Sequence, residues 1–406
     1  MARNIFFFIL LSFYLNCIYS QTIKSIQLRP AHNPKLFSPI VRLGEVLELS
    51  FDDLDADNKE YMYKVEHMTH DWKPSNLSSN QYIDGFDQNE IINFTNSFNT
   101  LQPYTHYSIK IPNANTIITK SGNYLISILD ENYEVVFTRR CIFYEDISIV
   151  GVAVYRSRNT LQSNSEQTVQ FSVNHPGLVI NNPNQEVKAV LIQNNNWQTS
   201  INNIQPIFIK PQQLIYNHTQ KTNFLGNNEF LNFDTKYARN TSLNIAKVER
   251  NDLYNSYLFT DESRANRPYT YNPDINGQFI INTLDAQDPI TEADYTKVHF
   301  SLFLEEPINN KEIYVYGAFN GFKLEEENKM TYNKTNNIYE TSIILKQGFY
   351  NYSYAVVNNN TINLNTIDGS FFETENEYTA IIYYRPFGGF YDRVIGIGNG
   401  FFNQNR

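Results

Sequence analysis

The side chains able to do chemistry are scattered along this chain rather than grouped. The main acidic run, Asp52-Asp53-Leu54-Asp55-Ala56-Asp57-Asn58, sets Asp53, Asp55 and Asp57 at alternate positions, like the opening of an EF-hand calcium loop. The loop then fails: Asn58 replaces the glycine needed for the sharp turn, and Lys64 stands where a bidentate Glu should close the site. A hairpin turn, between a strand ending at Phe51 and one beginning near Tyr61, is the reading adopted. Zinc needs three or four His, Cys or carboxylate ligands brought together. Of seven His, only His67 and His70 are close, and three residues apart on an extended chain their rings point to opposite faces. They read as hydrogen-bonded structural histidines.

Nucleophile motifs are missing as well. There is no Gly-x-Ser-x-Gly elbow, no Ser-x-x-Lys and no phosphate loop, and Cys141 lies in Arg139-Arg140-Cys141-Ile142-Phe143, a strand pattern that buries it as a small hydrophobe. Asp and Glu are plentiful enough for a glycosidase pair, but nothing in the sequence matches them across strands. No catalytic residue, metal ligand, cofactor or small-molecule substrate is assigned.

The elements that would position any site are strands. Aromatic residues make up 15% of the chain, with 29 Tyr and 29 Phe, and such side chains pack well on a pleated sheet. Period-2 alternation recurs at Val46–Phe51, Tyr61–Glu66, Tyr124–Leu129, Ala189–Gln193, Lys297–Phe303, Glu312–Gly317 and Tyr350–Val356, with turn residues between. Helical periodicity is absent outside the N-terminus, which disfavours doubly wound α/β folds. The expected fold is all-β, with tandem immunoglobulin-like or early-set β-sandwich domains.

Met1-Ala2-Arg3-Asn4, the apolar run Ile5–Leu15 and the polar exit Asn16–Gln21 have the order of a secretion signal, with cleavage expected before Gln21. Asn16 before Cys17 and Tyr14 three places before it do not suit lipidation of Cys17. Losing this segment removes Arg3 and no acid, taking the formal net charge from −10 to −11. No basic stripe marks a nucleic-acid partner, and no segment suits direct membrane insertion. Cys141 is then left alone, so stability must come from cores rather than disulfides. The organisation expected is a signal over 1–20, sandwich domains over 21–145, 146–293 and 294–386, and a Gly-rich tail over 387–406. Residues 236–272, polar and without alternation, read as a long loop or a cover over a sheet edge.

Two clusters place large aromatic and turn residues in irregular segments. In the first, Asp71-Trp72-Lys73-Pro74-Ser75 and Tyr82-Ile83-Asp84-Gly85-Phe86, the residues Trp72 and Phe86 either plug the end of a core or meet a partner. In the second, Arg385, Phe390, Tyr391, Asp392 and Arg393 crowd a Gly-rich segment that can hardly build a core of its own, which favours a partner surface.

The order and spacing of His67-x-x-His70-Asp71-Trp72-x-Pro74-Ser75, Tyr82-x-x-Gly85-Phe86, Ser97-x-x-Thr100, Tyr104-Thr105-His106-Tyr107, Pro112 and Ser121-Gly122-Asn123-Tyr124 resemble the N-terminal domain of the type IX secretion system plug protein family. Asn181-Asn182-Pro183, Trp197, Gln213–Tyr216, Asn228–Asp234, Asp274–Gly277, Gly369–Asn376 and Tyr384-Arg385-Pro386 extend the resemblance over most of the chain. Leu231 stands where the family pattern has Arg, and Phe390 is a second departure. The resemblance implies a non-enzymatic periplasmic protein that sits at the outer-membrane translocon β-barrel and closes its pore when no cargo occupies it. Such a task needs a rigid body and a recognition surface, not a reaction centre.

A carbohydrate-binding sandwich is the alternative, because Val315-Tyr316-Gly317-Ala318-Phe319-Asn320-Gly321-Phe322 resembles the strand and turn before the sugar platform of glycogen-binding early-set domains. The paired Trp of that platform are missing, since Trp72 and Trp197 are the only two. An outer-membrane barrel would need lipid-facing alternations at steady spacing, which this chain lacks.

Overall fold

The computed structural model describes residues 22–402 except 34, 309 and 360; the expected signal, its cleavage point and Cys17 lie outside the described residues. All seven alternating segments are strands, and the protein is built of β-sandwiches. Apolar side chains at every second position bury one face of each sheet against its partner.

The first sandwich lays the sheet Ile23–Pro30, Leu47–Asp53, Thr105–Ile111, Phe94–Asn96 on the sheet Ile40–Arg42, Val135–Tyr144, Gly122–Leu129, Met62–Met68, Gln88–Glu90. Leu47, Leu49 and Phe51 alternate into its core, where Val65, Tyr107, Tyr124 and Ile126 meet them. Here the expected hairpin is corrected. Leu47–Asp53 and Met62–Met68 belong to opposite sheets, so residues 54–61 cross the sandwich instead of turning back beside the same strand. The buried tyrosine at the end of that crossing, Tyr61, is anchored by its hydroxyl to Asp53 at 2.8 Å.

The second sandwich is made from two distant stretches. Its sheet Ile149–Arg156, Glu166–Asn174, Gln213–Tyr216, Phe208–Lys210 faces the sheet Asn196–Ile204, Val187–Gln193, Asn376–Tyr384, Arg393–Phe402. Their shared core holds Val169, Phe171, Leu191 and Tyr216 together with Tyr378, Ile382 and Ile395. Residues 393–402 are therefore a strand, not a free tail. The glycines that suggest a tail alternate along it, and a Cβ at Gly396, Gly398 or Gly400 would lie within 2.2–2.6 Å of Ser148, Val150 or Val152. Bare backbone on one face lets this strand cross closely over Ile149–Arg156.

The third sandwich is inserted between those stretches. Gly348–Asn358 pairs with Leu231–Asp234, Phe279–Ile281, Glu312–Tyr316 and Thr361–Asn363, opposite the sheet Ile245–Arg250, Tyr254–Leu258, Tyr295–Phe303, Ile338–Lys346, Thr331–Asn333. Within 236–272, read as a loop or cover, three strands extend that second sheet: Ile245–Arg250, Tyr254–Leu258 and Asp261–Glu262. Alternation failed to show them because Tyr254, Asn255 and Ser256 are buried in succession.

One buried acid of this body gives a pH test. Asp261 accepts the hydroxyls of Tyr352 and Tyr354 at 2.7 and 2.6 Å, and its burial pushes the carboxyl up to about 6. A raised carboxyl pKa favours the folded state below the ordinary aspartate range and loses that contribution as pH climbs through 6. Asp261→Asn is expected to match the parent protein at pH 4 and exceed it by about 2 kcal/mol at pH 8 in urea unfolding.

Candidate interaction surface

The two aromatic clusters come together, and the charged members of the second, Arg385, Asp392 and Arg393, are engaged within the protein. Asp392, 2% exposed, accepts the backbone N–H of His70 at 2.9 Å, lies 3.1 Å from His70 Nδ1, and receives Arg385 through two bonds of 2.8 and 2.7 Å. Burial opposes its charge, but the His70 and Arg385 bonds more than offset that and hold the carboxyl below the usual range. Arg393 grips Glu145 through two bonds of 3.1 and 2.5 Å, and Ser121 donates to the same carboxylate. Tyr391 stands edge-on to His67, whose ring is buried among Tyr82 and Tyr124 and pushed down to about 4 by that burial.

Trp72 also belongs to this joint. Its backbone takes φ +62° in a turn closed by its N–H on Thr69, and its ring meets Trp197 edge-on at 4.9 Å beneath Arg140. A small core of Ile142, Val190, Ile192, Ile381, Tyr383 and Val394 continues the contact. First and second sandwiches thus share apolar packing, the His70–Asp392 contact and one carboxylate–arginine lock, Glu145–Arg393.

What points outward is a different set. The loop between Asn376–Tyr384 and Arg393–Phe402 is pinned at its base by the Arg385–Asp392 pair and by the Arg385 and Phe387 N–H groups on Glu186. At its tip Phe387 is 97% and Phe390 77% exposed. Phe86 is also exposed, just after Gly85, whose φ is +105° and where an added Cβ would lie 2.3 Å from the Asn115 carbonyl oxygen, which leaves no room for a side chain. Of the residues expected to meet a partner, Phe86 and Phe390 are free to do so. Phe387 was missed, although Pro386-Phe387-Gly388-Gly389-Phe390 between two alternating runs reads as a hairpin tip.

The acidic run proves to be an ion-pair cluster. Asp53, Asp55 and Asp57 converge within 4.8 Å, and Lys59 sits among them, 2.9 Å from Asp53, 3.5 Å from Asp57 and bonded to Asp55. Its ammonium supplies the charge compensation a cation would. Cys141 is fully buried and its thiol is pushed up by desolvation, the reverse of what a nucleophile needs. The run Val315–Phe322 likewise turns inward: Tyr316, Phe319 and Phe322 are buried, and the Tyr316 hydroxyl accepts from Asn196 at 2.9 Å.

Three further motifs, Asn228–Asp234, Asp274–Gly277 and Gly369–Asn376, meet at the joint between second and third sandwiches. Asp274 accepts the Phe230 N–H, Asn228 donates to the Asp368 carbonyl at 2.8 Å, and Glu229 accepts the Glu375 N–H at 3.0 Å and the Tyr269 hydroxyl. Leu231 packs against the third core, so no charge pairing depends on that position.

The protein is thus of the class built from three interlocked β-sandwiches with exposed apolar loop tips, and among its described residues no helix is long and apolar enough to cross a membrane. The family model for the type 9 secretion system plug protein, first domain, matches residues 23–145. A crystal structure of a hypothetical protein from Parabacteroides merdae is 32% identical, covers 94% of this chain and 98% of that one, and superposes with a TM-score of 0.89. A serine-rich repeat protein from Streptococcus agalactiae also aligns, at 9% identity and a TM-score of 0.13 over 94% of this chain and 93% of that one, too low to bear on the fold. No curated protein matches. The chain belongs to the type 9 secretion system plug protein family.

Proposed function

We propose that this protein is a non-enzymatic periplasmic plug, which binds the outer-membrane translocon barrel of type IX secretion and closes its pore when cargo is absent. Family membership carries the reading, and the build of the molecule supports it. A plug must withstand being seated in an opening, and here each sandwich is tied to both others by buried polar bonds, which makes one stiff body of three. Arg385, Tyr391, Asp392 and Arg393 serve inside that body. Recognition falls to Phe387 and Phe390 on the pinned loop, with Phe86 on the first sandwich, because exposed aromatic rings on rigid supports make effective anchors at low entropic cost.

The test is affinity purification from detergent-solubilised outer membrane, where the large barrel is expected to copurify. Recovery of this protein alone, under conditions that keep the barrel intact, would overturn the reading. The double change Phe387→Ala and Phe390→Ala is expected to shift stability by no more than about 0.5 kcal/mol, since both rings are exposed. Retained barrel should fall by about tenfold, the effect of losing one strong anchor.

A further inference from the structure

The first sandwich has an open side. Ile23–Pro30 is the edge strand of one sheet, and Val135–Tyr144 borders the other, where Ile40–Arg42 pairs only with its last three residues, 142–144. Among the described residues no strand pairs with the outer edge of either over 26–29 or 138–140. Between these edges runs a cleft of about 400 Å³, roofed by Asn195–Gln198 of the second sandwich and by Gln278, Phe279 and 318–323 of the third.

The charge in this cleft is opposite to that of the molecule. Arg29, Arg139, Arg140 and Lys323 line it, in a chain of net charge −10. Among the described residues neither Arg139 nor Arg140 lies within ion-pair distance of a carboxylate. Arg139 donates to its neighbouring carbonyl at Thr138, while Arg140 lies over the rings of Trp72 and Trp197 at 4.6 and 5.9 Å. Of the acids beside the cleft, Glu325 is 3.6 Å from Lys323 and its charge also acts on Arg139, while Glu327 is 2.5 Å from Lys24. A guanidinium carries five N–H donors in a planar fork, so both arginines keep donors to offer a carboxylate. Burial lowers Arg139 to about 10, the mark of a desolvated cation that an anion would stabilise.

We propose that this cleft binds an extended acidic segment of a protein partner, which adds a strand to the open edge at 138–140 and places carboxylates against Arg139 and Arg140. Successive residues of a strand point to opposite faces, so the two guanidinium groups flank the edge. An added strand presents its own side chains to the same two faces, and its apolar residues can pack among Phe37, Trp197, Phe279 and Phe322. A bare phosphate would use the cations but neither the rings nor the open strand edge. This inference does not depend on the plug reading.

Both tryptophans of the chain are at this place, so intrinsic fluorescence reports on the cleft directly. The probe is a capped hexapeptide, Val-Val-Asp-Asp-Val-Val, which puts one carboxylate on each face of the added strand, titrated into the full-length protein. Its expected effect is a saturable shift in tryptophan emission that weakens with added salt. The matched Val and Asn peptide should give none. In Arg139→Gln, whose fold is checked by circular dichroism, affinity should drop at least about tenfold. Should that variant not fold, the salt dependence and the uncharged peptide decide alone. Equal binding of the two peptides, no saturable shift, unchanged affinity in a folded Arg139→Gln, or the same response to inorganic phosphate would overturn the proposal.

Discussion

Asp52→Ala is expected to destabilise the whole chain by about 3–5 kcal/mol, because it leaves a buried ammonium without its counter-charge. Asp52 of the first sandwich and Lys346 of the third meet at 2.7 Å with side chains 1% and 2% exposed. His106 lies 2.6 Å from the same carboxylate and the Tyr295 hydroxyl donates to it at 2.7 Å. Burial resists ionisation of Asp52, yet Lys346 and His106 together hold its carboxyl below the ordinary range. Lys346 is also fixed by the Ile290 carbonyl at 2.7 Å and by the face of Tyr104 at 4.0 Å, so it cannot reach water when Asp52 is gone. The double change Asp52→Ala and Lys346→Met should recover a large part of the loss, since an apolar replacement of a buried pair is often neutral. Urea unfolding of both singles and the double closes this cycle, and additive losses would refute the coupling.

Asp392→Ala should cost about 3 kcal/mol, the low end for a buried pair, because Arg385 is 37% exposed and water compensates part of its charge. The depressed carboxyl sets the pH dependence. Its contribution is present above the ordinary aspartate range and is lost as pH falls below it. The penalty should therefore be full at pH 7 and shrink as pH drops below about 4. A penalty that stayed constant down to pH 2 would assign the loss to packing instead of charge.

How far the sequence discloses this protein depends on the range of the interaction. Alternation is local, so Val46–Phe51 or Tyr350–Val356 is readable without a fold, and the His67–Tyr124 spacing is enough for the resemblance. Partners across the fold are not readable: nothing local in Asp392 points to His70, 322 residues away. The reading of Arg385–Arg393 as an isolated cluster failed for this reason, since its core comes from another part of the chain. Sheet membership is equally invisible, as the segment after Phe51 shows by crossing between layers. Besides the hairpin tip at Phe387, a legible signal overlooked is the alternation of Gly396, Gly398 and Gly400 with Ile395, Ile397 and Phe401, a period-2 pattern with bare backbone on one face.

The return of the chain to its second sandwich sets an order of events. Residues 149–225 hold the larger part of a core whose remainder lies at 376–402, with the whole third sandwich between them. A chain delivered from its N-terminus can complete the first sandwich early, and it can complete the insert before its host. The host must wait for residues 376–402, with Val187–Gln193 unpaired on one side until Asn376–Tyr384 arrives. The interdomain locks at Asp392 and Arg393 are carried by that final stretch. Closure of the second sandwich therefore waits for residues 376–402, and a chain cut short before them would lack that sandwich and the clasp that joins it to the first.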